Sequence, residues 1–254
     1  MFKPKKVFKM KDKHEKFYTD KGFLPNLPMK LIIAGRSHIS GKTNLVGSLL
    51  LLDKFYNKNF KGDDIYIISP SIDTDDKINS IIEVKNIPDE NLMDCPNEEI
   101  LSLLYDEIEE DFKNTKGKKK NYLFYFDDCS YGGGLKAKRY GIVSKFFQNG
   151  RHLNISTIAT TQVYNDLHLN LRRNASAIIS FNISDKDLDI LTEENNYLKS
   201  KNDFKNLFRS VVNQKHSFFV INYSNNQDQM YLDSNFMPII AEQSKKNDEQ
   251  SSQK

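Results

Sequence analysis

Gly41-Lys42-Thr43 sets an amine and a hydroxyl at the start of an apolar stretch with helical character, directly after the apolar run Lys30 to Ala34. Backbone N–H groups at a helix N-terminus attract phosphate, a lysine there reaches β- and γ-phosphates, and a threonine hydroxyl holds Mg²⁺. Loops of this kind read G-x-x-x-x-G-K-S/T. Here five residues, Arg36 to Ser40, separate Gly35 from Gly41, so Arg36 stands where the first glycine belongs. A second feature is "YLFYFDDCS", in which five apolar or aromatic residues, Tyr122 to Phe126, precede Asp127 and Asp128. Such a run makes a strand buried on both faces, and ligands of open parallel sheets bind at carboxyl ends of strands. Asp127 is placed to support the Mg²⁺ held by Thr43, and Asp128 to orient or deprotonate an attacking water. The alternative is a solvated loop start. A third run, Ile155 to Gln162, delivers the amide of Gln162 to the same edge. That amide either senses the γ-phosphate or the water, or caps its strand as a buried group.

The elements that must position these groups alternate in type. Strands are expected at Lys30 to Ala34, Asp64 to Ser71, Tyr122 to Ser130, Ile155 to Gln162 and Ser176 to Asn182. Helices are expected at Thr43 to about Lys58, Asn97 to Phe112, Arg139 to Asn149, Asp185 to Glu194 and Asp203 to Val212. In the second of these, Ile100, Leu103, Leu104 and Ile108 form the expected apolar face. "SIDTDD" after Pro70 reads as a turn. "HSFFVINYS" and "QMYLD" read as an antiparallel hairpin at the sheet edge. Alternating strands and helices imply an α/β fold with a mostly parallel sheet covered on both faces.

Composition suits a soluble globular chain of 254 residues, with 38% hydrophobic and 28% charged residues. Its two cysteines, Cys95 and Cys129, lack C-x-x-C spacing, and its five histidines form no H-x-x-x-H pair, which implies a reducing compartment and no structural zinc. Apolar runs fall short of the roughly 20 residues that span a bilayer, so no membrane anchor is expected. The formal charge is +3 but uneven: residues 1–21 hold eight lysines against three acids. Two further basic runs are Lys113 to Asn121 and Gly132 to Gly141. Taken singly, each reads as a solvated surface or as a contact for a polyanion. The expected organisation is a basic arm over 1–27, an ATPase domain over 28–240 and a disordered polar tail over 241–254. No N-K-x-D guanine signature and no arginine-rich lid occurs, which favours ATP used for mechanical work.

The chain resembles the genome-packaging ATPases of the FtsK-HerA superfamily found in poxviruses, other large DNA viruses and virophages. The resemblance rests on "IIAGRSHISGKTNL", "YLFYFDDCS", "FFQNGRHLNISTIATTQ" and "LHLNLRRNASAIISF", which together cover about Leu31 to Asn182. It implies a RecA-like P-loop NTPase core with an additional-strand sheet. It also implies a homo-oligomeric ring of five or six subunits that drives double-stranded DNA into a capsid, with a capsid or portal-vertex protein as partner, in host cytoplasm, in a viral factory or in association with the virion. The family's loop is close to G-P/R-S-G-S-G-K-T. This sequence matches it at Gly35, Ser37, Ser40, Gly41, Lys42 and Thr43 with one residue inserted, and Asn44 completes the expected nucleotide-binding set. A bulge must replace the bend that a middle glycine gives, so a working cradle with a wider entrance is expected. The family completes one subunit's site with a neighbour's arginine. Arg151 is the first candidate, with Arg172 or Arg173 second, and an arginine that holds a helix end or pairs with an acid is the competing role. Lys136, Lys138 and Arg139, in the glycine-rich loop after the acidic strand, could grip DNA phosphates; a disordered surface loop is the competing reading. A cellular or plasmid translocase of the same superfamily, or a non-catalytic nucleotide-binding scaffold, are the alternatives.

Overall fold

Runs such as Leu31 to Ala34 and Tyr122 to Phe126 have no polar side, so strands built from them need cover on both faces. A computed structural model describes residues 22–37, 40–115, 120–129 and 141–239. Its strands are β1 (Lys30–Ala34), β2 (Ile65–Ile68), β3 (Leu92–Met93), β4 (Tyr122–Phe126), β5 (Ile155–Thr161), β6 (Ala177–Ser180), β7 (Phe219–Asn222) and β8 (Tyr231–Leu232). Its helices are α1 (Lys42–Leu51), α2 (Asp76–Lys85), α3 (Glu98–Asn114), α4 (Ile142–Asn149), α5 (Leu169–Asn174), α6 (Asp185–Asn195) and α7 (Lys201–Val211).

One sheet runs in the order β3-β2-β4-β5-β1-β6-β7-β8. The first six of these strands are parallel, and β7 and β8 add the antiparallel edge. Strand β5 lies between β1 and β4, pairing Ala34 with Thr161 and Phe126 with Ala159. This is the additional-strand arrangement of a P-loop NTPase core, and it brings the ends of β1, β4 and β5 to one edge.

Alternation along each strand divides the core. Leu31, Ile33, Leu123 and Tyr125 pack with Leu45, Val46 and Leu49 of α1 and Ile78 and Ile81 of α2. Ile32, Ala34, Phe124 and Phe126 face the other way, toward α3 to α7. Asp127 continues the parity of Leu123 and Tyr125, so it emerges on the face where α1 begins.

Four expectations need correction. Helix α1 stops at Leu51 rather than near Lys58, because Tyr56 is drawn inward: it is 1% exposed and its hydroxyl donates to Pro25 O at 2.6 Å. The "SIDTDD" segment starts helix α2, with the Asp75 carboxylate accepting from the amides of Lys77 and Ile78. Helix α3 buries Leu101, Tyr105 and Ile108, while Ile100 and Leu103 are exposed, since the Tyr105 ring packs on Phe146 and sets the inward face. Helix α4 begins at Ile142, where Glu98 accepts from the Ile142 amide; residues 130–140, including the expected Arg139 start, lie outside the described residues.

The domain reaches into the last residues of the expected arm. Leu24 and Leu27 are buried, and the Asn222 amide donates to Phe23 O at 2.8 Å. Residues 1–21 and 240–254 lie outside the described residues. Among the described residues, no helix is long and apolar enough to cross a membrane.

Candidate active site

Strand β1 ends at Ala34, and the chain turns at once, the Gly35 amide donating to Thr161 O. Helix α1 opens at Lys42 behind Gly41, whose φ of 91° is a left-handed value that a side chain at this position would disfavour. The loop between them is closed at its base, where Ser40 Oγ donates to Arg36 O at 2.7 Å. The expected bulge at 38–39 lies outside the described residues. Lys42 is buried, donates to Gly35 O at 2.9 Å and lies 3.8 Å from Asp128 Oδ2. Burial pulls its ammonium below the ordinary value, and Asp128 and Asp127 oppose that shift.

The two acids differ sharply in setting. Asp127 is 5% exposed and accepts from Tyr125 Oη at 2.6 Å, Thr160 Oγ1 at 2.7 Å and Ser69 Oγ at 3.2 Å. Burial raises its pKa, and these hydroxyl donors, with Tyr125 foremost, hold it back. Asp128 is half-buried, has a left-handed φ of 45°, and its backbone amide donates to Thr160 Oγ1 at 3.0 Å. Its carboxylate accepts from Gln162 Nε2 at 3.0 Å. Gln162 is exposed, so its amide faces the cleft rather than capping the strand as a buried group. Asp-Asp is likewise no solvated loop start.

Ser37, Ser40, Gly41, Lys42, Thr43, Asn44, Asp127, Asp128 and Gln162 line one cleft of about 620 Å³. Its outer walls are the start of α2, from Thr74 to Lys77, and His216 from the turn before β7. Thr43 and Asp127 offer hard oxygen donors beside the phosphate loop. That suits Mg²⁺, which takes one or two protein oxygens and shares the rest with phosphate and water. Groups of three or more His, Cys, Asp or Glu that could form a dedicated cage are absent among the described residues.

The arginines lie elsewhere. Arg151 is exposed in the 3₁₀ turn Gly150–Leu153 that precedes β5, so the strand's full length, about 20 Å, separates it from Gln162. Its positive charge helps burial to lower the pKa of Lys30 at the same sheet edge. Arg172 on α5 is engaged inside its own chain, forming an ion pair with Glu194 at 2.9 Å and lying over the Tyr164 ring at 5.2 Å. Arg173 is exposed beside it. Lys136, Lys138 and Arg139 lie outside the described residues. Of the second basic run, Lys113 and Lys120 pair with Glu109 and Asp111 of α3.

Sequence reasoning missed the groups that hold these residues in place. Ser69 and Thr160 sit at strand ends as ordinary polar residues, and only pairing of β2 and β5 with β4 brings them to Asp127. His216 approaches Ser40 O at 3.2 Å across 176 positions of sequence.

A family model described as "Poxvirus A32 protein" matches residues 14–247. This chain belongs to the poxvirus A32 protein family. Structures of the genome packaging NTPase B204 from Sulfolobus turreted icosahedral virus 2 resemble this A32-family chain. The complex with AMPPCP is 16% identical, covers 78% of this chain and 93% of its own, and superposes with a TM-score of 0.52. The complex with AMP is 16% identical over 81% and 96%, with a TM-score of 0.54. B204, the DNA-packaging ATPase from Sulfolobus turreted icosahedral virus, is 15% identical over 82% and 97%, also with 0.54. At this identity the likeness establishes the fold, the P-loop NTPase core described above. No curated protein matches the A32-family chain.

Proposed function

We propose that this A32-family chain is an ATP-driven translocase that packages double-stranded DNA into a viral capsid. The observation that carries the reading is the meeting of Lys42, Asp128 and Gln162 at one strand edge, within 3.8 Å and 3.0 Å of each other in turn. Lys42 binds the β- and γ-phosphates, the α1 N-terminus receives them, and Asp128 orients the attacking water and takes its proton while Gln162 steadies that carboxylate. Thr43 and Asp127 would hold Mg²⁺, which supplies charge neutralisation at the terminal phosphates. The intact lysine, acids and amide argue against a scaffold with a ruined loop. Family membership, together with the packaging role named for the B204 structures, favours a viral over a cellular or plasmid translocase.

The working form in this reading is a ring of five or six identical subunits, in the host cytoplasm or viral factory, docked on a capsid or portal-vertex protein. Lys136, Lys138 and Arg139 grip the DNA backbone without reading base sequence. Arg151 completes the neighbouring subunit's site: it is exposed, and it sits at the sheet edge opposite its own phosphate loop. Arg172, held by Glu194, is less suited to that task.

Mixing subunits tests this directly. Arg151→Ala rings are expected to lose ATP hydrolysis by about 10³-fold or more, and Lys42→Ala rings by at least about 100- to 1,000-fold. Mixed in equal amounts they should regain a measurable fraction, because some interfaces pair an intact loop with an intact arginine. Mixtures as inactive as either parent, or full activity in an isolated monomer, contradict a shared site.

A further inference from the structure

We propose that His216 forms the nucleoside end of the cleft, a subsite for the ribose and base of the bound nucleotide. The inference rests on the cleft being a nucleotide site. Strand order then fixes which way the ligand lies. In the sequence of neighbours β4-β5-β1-β6-β7, the acids Asp127 and Asp128 follow β4, Gln162 follows β5, and the phosphate loop follows β1. Terminal phosphate goes toward Lys42, Asp128 and Gln162, on the β4 and β5 side of the loop. A chain of phosphates anchored there leaves the loop on its other side, toward β6 and β7. His216 stands on that side, in the turn that leads from α7 into β7, and it lines the cleft.

The imidazole is placed to be used. Its Nδ1 lies 3.2 Å from Ser40 O, and it would lie 3.4 Å from a Cβ at Gly41, so the ring rests on the phosphate loop at its bare glycine. The residue is nevertheless exposed, which leaves ring surface open to a ligand. Its backbone takes a left-handed φ of 65°, a region few non-glycine residues enter. The turn around it is tied by Ser217, whose Oγ accepts from the Gln214 amide at 3.2 Å and donates to Gln214 O at 2.7 Å. Chain geometry thus holds an aromatic ring against the phosphate loop on the side toward which the nucleoside would extend. Among the described residues, the opposite wall offers Thr74, Asp75, already capping α2, Asp76 and Lys77, and no aromatic ring.

Calorimetric titration of the full chain separates a nucleoside contact from a loop prop. The ligands are a non-hydrolysable ATP analogue and inorganic tripolyphosphate, each with Mg²⁺. His216→Asn is the informative variant, since asparagine accepts the left-handed backbone and its amide can donate to Ser40 O in place of Nδ1. Removing a stacked aromatic is expected to weaken the ATP analogue by about ten-fold or more, with tripolyphosphate affinity unchanged. His216→Ala should lose at least as much for the analogue. Equal losses for both ligands in His216→Asn, or no loss for the analogue, overturn the proposal. Wild-type protein that binds neither ligand overturns the nucleotide reading beneath it.

Discussion

Replacing Lys42 with alanine is expected to lower ATP turnover by at least about 100- to 1,000-fold and to leave the chain folded. Lys42 is the cation that reaches into the cleft from the start of α1, and its charge lies 3.8 Å from Asp128, where the terminal phosphate must sit. Preorganised charge aimed at developing negative charge is the largest single contribution available to such a site. Folding should tolerate the change because the lysine's other contact is one carbonyl, Gly35 O, and Asp128 retains Gln162 and partial exposure to water. Steady-state hydrolysis with a thermal melt on the same preparation checks both halves. Turnover within a few-fold of wild type would place the catalytic lysine elsewhere.

Asp128→Asn is the second large effect, with kcat expected to fall by about 10²- to 10⁴-fold and affinity for the nucleotide to change little. Asparagine tolerates the left-handed φ of 45° at this position and still accepts from Gln162 Nε2, so the substitution removes the basic oxygen and the charge facing Lys42 while keeping the local geometry. Asp127 is not equivalent. Its carboxylate is enclosed by the hydroxyls of Tyr125, Thr160 and Ser69, which engage both oxygens and leave it poorly placed to exchange protons with water. A divalent cation beside it would favour its charged form and reverse the upward push of burial. Single-turnover rates for Asp128→Asn separate chemistry from release. An unchanged chemical step would move the base to another group.

Much of this site was legible because it is local. A strand, a Gly-Lys-Thr and an apolar helix are contiguous, and the acidic pair follows its strand directly, so periodicity alone placed Lys42, Thr43, Asp127 and Asp128 at one edge. Gln162 was brought to that edge by the same logic, and only its exposure beside Asp128 separates it from a buried strand cap. What stayed hidden is non-local or was masked by turn-like composition. "SIDTDD" has the residues of a turn, yet Asp75 followed by Asp76, with Ile78 and Ile81 spaced to bury, is also a helix start. Half of the expected apolar face of α3 was misplaced: Leu104 and Ile108 pack inward, but Ile100 and Leu103, as apolar as Leu101, do not. Only the Tyr105 ring against Phe146 decides which of them turns inward. Nothing near His216 in sequence announces its contact with Ser40, since it depends on β7 pairing antiparallel to β6 beside β1. Arg151 and Arg172 sit at comparable points beside strand starts, and Glu194, which engages Arg172, comes from a helix further along the chain.

The central claim is that the cleft hydrolyses ATP to move DNA, and hydrolysis measured with and without double-stranded DNA tests it most directly. Wild-type protein should hydrolyse ATP with Mg²⁺, faster when DNA of any sequence is added. The stimulation should fade as salt rises, because backbone contacts release counterions, and it should be absent in Lys42→Ala. Hydrolysis that is undetectable, or equal with and without DNA at low salt, would contradict the account.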